Sequence, residues 1–141
     1  MKLNYVGKRT ITTADLFDCS DPPLVFEVRT RPPRNWATLF NDFESGGADD
    51  IEIAKKLIAM CFLTVSDGGE SYKIDTEELV EAMQQAIEAE NPGYGEEFIC
   101  TIAWGFGRNY YRVLGDQLGN SKKLLEQLNT NSEETNRVKV S

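Results

Sequence analysis

Between residues 24 and 43 the apolar side chains change their spacing from two to three and four, and that change dictates the class of fold. Leu24, Phe26 and Val28 alternate with Val25, Glu27 and Arg29, the period of a strand with one buried face. Pro32-Pro33 stops the run, because a prolyl ring brings no N–H to a sheet ladder. From Asn35 onward Trp36, Leu39, Phe40 and Phe43 fall at i, i+3, i+4 and i+7, which lines four large side chains along one helical stripe. A chain that opens in one period and continues in the other predicts an α+β fold. With 141 residues it is long enough for one core and short for two.

The rest of the chain is mainly helical by the same test. Leu3 to Thr12 is β-branched enough to pair with the 24–28 strand, and Ser20-Asp21-Pro22-Pro23 punctuates the link. Gly46-Gly47 ends the first helix. Asp49 or Asp50 can cap a second, with Ile51, Ala54, Leu57, Ile58 and Cys61 as its stripe and Ile53, Met60, Phe62 and Leu63 around it. Asp67-Gly68 predicts a tight turn and a short hairpin near 65–74. Asp75 is the expected cap of a third helix, with Leu79, Val80, Met83, Ala86 and Ile87 as its buried stripe and Glu77, Glu78, Glu81 and Glu88 on its wet face. Asn91-Pro92-Gly93 stops it. A fourth helix, Glu96 to Gly115, has Ile99, Ile102, Ala103, Phe106, Tyr110, Val113 and Leu114 as its stripe. Gly105 and Gly107 inside it predict a close backbone crossing or a bend. A short helix over Ser121 to Leu128 follows. The expectation is therefore four to five helices, a small N-terminal antiparallel β-element, one globular domain over 1–128 and a flexible polar tail over 129–141.

Charge and residue types then remove whole classes of function. The net charge is −8, and residues 49–100 hold 13 acidic against 3 basic side chains. A chain so charged lacks the basic face that releases counterions from phosphates, so no nucleic-acid partner is expected. No apolar run is long enough to span a bilayer and no leader pattern opens the chain, so a cytoplasmic protein without a membrane partner is expected. Cys19, Cys61 and Cys100 are odd in number and read as reduced, with a Cys61–Cys100 bridge left open. There is no histidine, which removes the usual general base and the commonest metal ligand. No Cys-x-x-Cys pair and no Gly-x-x-x-x-Gly-Lys loop occur. Gly105-Phe106-Gly107 lacks the third glycine of a dinucleotide loop, and Asp67 to Asp75 lacks the alternation of a calcium loop. Glu77, Glu78 and Glu81 read as solvated helix face. No catalytic residue, metal site or cofactor is expected. A protein-binding surface is easier to argue: Trp104, Tyr110 and Tyr111 lie close to Arg108 and Arg112, the residue types that dominate interface energetics.

The segment Met60 to Met83, MCFLTVSDGGESYKIDTEELVEAM, resembles the middle of the tail assembly chaperones of long-tailed, siphovirus-type bacteriophages. There a buried helix runs into an Asp-Gly turn, a brief extended arm and a capped acidic helix. The flanking element order is similar too. Gly68-Gly69 and Lys73-Ile74 stand where members often carry a second acid and an aromatic. The resemblance implies a non-enzymatic helper that coats the tape measure protein and recruits tail tube proteins in the host cytoplasm. Homo-oligomeric rings or arrays are compatible with that work. A second reading of the acidic block is a small inhibitor, of counter-defence or DNA-mimic type, that blocks a basic site on a host protein.

Overall fold

A single antiparallel sheet unites the two extended regions of the chain. The computed structural model describes residues 1–3, 7–17 and 23–140, with side chains described through Asp116 and at Leu118. Two units are present, Met1–Arg108 and Asn109–Ser141. In the first, β1 (Lys8–Thr12), α1 (Thr13–Leu16), β2 (Val25–Arg29), α2 (Trp36–Ser45), α3 (Ile51–Cys61), β3 (Phe62–Ser66), β4 (Ser71–Lys73) and α4 (Glu77–Glu90) precede α5 (Gly95–Val140), which continues into the second. The fold is α+β, as the periods require.

The sheet order is β1-β2-β3-β4, each pair antiparallel. The 65–74 hairpin is thus not a separate feature: its first strand pairs with β2, Phe26 opposite Val65. Phe62 and Leu63 belong to this strand, not to the surroundings of α3, which ends at Cys61. One row crosses the sheet as Ile11, Phe26, Val65 and Tyr72. The first three are buried, whereas Tyr72 is 57% exposed. A shift of register between Glu27 and Val28 brings Val28 opposite Phe62, so that both are buried; a bulge adds the local twist this needs.

Helix α1 has no counterpart in the periodic reading because four residues are too few to show a period. Thr12 and Asp15 form a reciprocal capping box around it, Thr12 N–H donating to Asp15 Oδ2 at 2.8 Å and Asp15 N–H to Thr12 Oγ1 at 3.3 Å. Asp50 caps α3 as expected, its carboxylate accepting from Glu52 and Ile53 N–H. The cap of α4 is Thr76, not Asp75: Thr76 is extended and its Oγ1 accepts from Leu79 N–H at 3.2 Å. The helix starts one residue later than the acidic cap implied, and the hydroxyl there has the right reach.

The core of the first unit is an aromatic chain. Phe26 meets Phe62 edge-on at 5.1 Å, Phe62 meets Phe106 at 5.1 Å, and Phe106 meets Trp36, which stacks on Phe40 at 5.3 Å. Such pairs add roughly 0.5–1.5 kcal/mol each beyond their buried area. This chain ties sheet, α2 and α5 together. The two glycines of α5 make the approach feasible. A Cβ on Gly105 would sit 2.7 Å from Leu16 O, and one on Gly107 would overlap the Phe40 ring. Gly105 is a close backbone crossing, the first of the two expectations, whereas Gly107 makes room for a side chain, the Phe40 ring.

Along α5 the backbone is helical from Gly95 through Val140. The expected stop at Gly115 and the separate helix over 121–128 are therefore absent, and 129–140 continue the same helix. Gly115 weakens a helix without ending it, since its cost of roughly 1 kcal/mol is spread over a long run of hydrogen bonds. The side chains of residues 121–128 lie outside the described ones, as Cys19 and the first three residues of the Ser20-Asp21-Pro22-Pro23 link lie outside the described residues.

Candidate functional site

Helix α4 does not bury the stripe its sequence suggests. Val80 and Met83 are buried, but Leu79 is 37% exposed and Ala86 is exposed as well. The reason is angular. At about 100° per residue the expected stripe of Leu79, Val80, Met83, Ala86 and Ile87 spans about 120° of the helix, and Ala82 beside it widens the apolar arc to roughly 160°, more than one packing neighbour covers. Val80 turns inward, the buried Met83 reaches the floor, and Leu79, Ala82, Ala86 and Ile87 line the rest of one side of a groove of about 390 Å³. Its opposite wall is the sheet: Val65 and Ser66 of β3, Tyr72 and Lys73 of β4, and Ile74. Leu24 also lines it. The lining is mostly apolar, and β4, three residues long with Lys73 on it, is a free edge of the sheet, short and charged as edges in solution are.

The turn above the groove is firmly built. Gly68 adopts φ +100°, Gly68 N–H donates to Ser66 Oγ and Gly69 N–H to Asp67 Oδ1, each at 3.1 Å. Tyr72 Oη donates to Glu70 at 3.2 Å. That bond, and the charges of Glu70 and Asp67, hold the Tyr72 hydroxyl above the ordinary phenol range. At the other end of α4, Glu88 accepts from Gly93 and Gly95 N–H, both at 2.7 Å. These two donors pull its carboxyl below the usual glutamate range. Glu88 is therefore a staple for the α4–α5 turn rather than plain wet surface.

A second concavity, about 480 Å³ and wide open, lies where Ala48 and Asp49 face Glu96, Glu97, Cys100 and Trp104 of α5. Burial first, then Asp49, Glu96 and Asp50, pushes the Cys100 thiol up to about 11. Burial pushes Cys61 up still further. Both thiols are free, so the bridge left open between them is not formed. Neither is an activated nucleophile, since reactivity needs a lowered value.

The five expected interface residues divide. Trp104 and Arg108 come together, with the guanidinium 5.2 Å from the ring centroid and its Nε 3.3 Å from Glu44 Oε2. Trp104 is 39% exposed. Tyr110 and Tyr111 belong to the second unit, where their rings meet edge-on at 5.7 Å; Tyr111 and Arg112 are exposed there. Sequence reasoning missed Tyr72 and Leu79. The one available signal was the excessive width of the α4 stripe.

Gly105 and Gly107 serve helix packing, and Glu77, Glu78 and Glu81 are solvent-exposed on α4. Among the described residues, no three histidine, cysteine, aspartate or glutamate side chains gather as a metal site, and no helix is long and apolar enough to cross a membrane. The acids of 49–100 have varied settings: Glu52 and Glu81 pair with Lys55, Asp50 caps α3, and Glu88 caps a turn. No family model, curated protein or solved structure matches the chain.

Proposed function

We propose that this protein is a non-enzymatic assembly chaperone or adaptor of the phage-tail type, which holds tape measure and tail tube proteins in the host cytoplasm. The observation that carries the reading is the groove between α4 and the β3–β4 hairpin, with Leu79 and Tyr72 exposed on its two walls. Apart from Leu24, Ala86 and Ile87, its lining comes from the same Met60–Met83 segment that resembles those chaperones. An apolar groove with exposed large side chains on its walls and polar groups at its rim is a kind of surface that another protein can cover. The work needs no acid, base or metal. It needs reversible burial of another chain's apolar surface, at roughly 25 cal/mol per Å².

Co-expression with a tape measure and a tail tube protein from the same genome tests this. A complex that survives gentle purification is expected, and Leu79→Asp should abolish it while leaving the circular dichroism unchanged. Recovery of the chain alone under those conditions would refute the reading.

A further inference from the structure

The charge around the groove says what kind of segment it takes. Residues 65–90, which build all of the groove except Leu24, hold eight acidic side chains and one basic one, Lys73. Asp67 lies in the lining itself. Glu70 stands beside it, held by the Tyr72 hydroxyl. Helical geometry places Glu78 on the flank of the Leu79–Ala82–Ala86 face, and Glu90 continues that face beyond Ile87. An apolar floor with an acidic rim repels an acidic partner and concentrates a basic one.

We propose that the α4/β3–β4 groove docks an amphipathic segment of another protein whose apolar residues are flanked by lysine or arginine. The apolar residues fill the space between Leu79 and Tyr72, and the basic ones meet Asp67, Glu70 and Glu78. This rests on the protein-binding reading above and gives the partner its chemistry. Apolar contact supplies the affinity, while charge selects the partner and sets the rate of encounter.

The probe is a pair of synthetic peptides of about 14 residues, short enough to be largely unfolded alone. They share leucines at helical spacing; one carries lysine and the other glutamate at the flanking positions. Binding to the full chain is followed by amide chemical shifts and by fluorescence anisotropy. The lysine peptide is expected to shift Tyr72, Lys73, Leu79 and Ala86, and the glutamate peptide to leave them unmoved. Leu79→Asp, at an exposed position, should weaken the lysine peptide about tenfold or more, as loss of a central apolar anchor does. The double variant Asp67→Lys with Glu78→Lys should reverse the preference between the peptides, and added salt should shrink the reversed preference as it shrinks the original one.

Equal binding of both peptides, shifts confined to other surfaces, or a self-associated chain whose dimer Leu79→Asp dissolves would each overturn the proposal. The two readings fail separately. Capture of a tape measure or tube protein without lysine-peptide binding sinks the charge selection alone. Lysine-peptide binding in the groove without any tail partner sinks the assembly role and leaves the surface standing.

Discussion

Helices α4 and α5 look alike as strings of residues, each with acids in the first turn and an apolar stripe, yet they end in opposite situations. Through residues 95–108, α5 buries Ile99, Ile102 and Phe106 almost completely. Its neighbours press so close that only glycine fits at 105 and 107. Along α4, Val80 and Met83 reach the core while Leu79 and Ala86 do not. Apolar period tells that a stripe exists. Whether anything covers it depends on which other elements arrive there, and at α4 the sheet stops short at a three-residue edge strand.

The contrast breaks most readily in the cores of the two helices. Ile102→Ala should cost about 2–5 kcal/mol in urea unfolding, as buried large-to-small changes do, whereas Leu79→Ala should stay within about 0.5 kcal/mol. Equal losses would mean that Leu79 is covered after all. Gly107→Ala comes next. Its methyl would overlap the Phe40 ring, and overpacking of that kind costs typically 1–3 kcal/mol, outweighing the gain of roughly 1 kcal/mol that alanine brings to a helix. A stabilised variant would show that the crossing is loose.

The start of α4 offers a smaller effect. Thr76→Ala should lose about 1 kcal/mol with its cap hydrogen bond, and Asp75→Ala close to nothing in the same melt. The reverse result would return the cap to the acid. Smallest is the pH effect at the other end of α4. Glu88 has its folded value pulled below the unfolded one by Gly93 and Gly95 N–H. Its stabilisation is therefore present above the ordinary glutamate range and fades as pH falls through the depressed value. Glu88→Gln should reduce stability near neutrality and flatten the acid limb of the stability curve. An unchanged acid limb would show that those two bonds do not persist in solution.

Much of the architecture is legible in the residues themselves. The strand at 24–28, the stripes of α2 and α3, a cap at Asp49 or Asp50, the turn at Gly68 and the stop at Asn91 are local: each depends on a few neighbouring side chains and their own backbone. The glycine crossings in α5 were legible too, as a cost that packing had to repay. Trp104 and Arg108 do meet, because four residues along a helix place them on one face. Tyr72 escaped notice because its exposure is a property of the sheet row that ends on it, and nothing in Ser71-Tyr72-Lys73 announces that β4 is the edge of the sheet formed by the described residues.

The residues alone determined that this chain has strands followed by helices, where four of those helices begin to within a residue or so, and that histidine-based chemistry is closed to it. Periodicity, caps and composition act over a few residues, so they need no fold to be read. The pairing of β2 with β3, the coverage given to α5 and denied to α4, and hence the groove with its acidic rim came from long-range packing. Which surface meets which is settled by competition among all the elements for a finite core, and no local stretch of sequence carries that outcome.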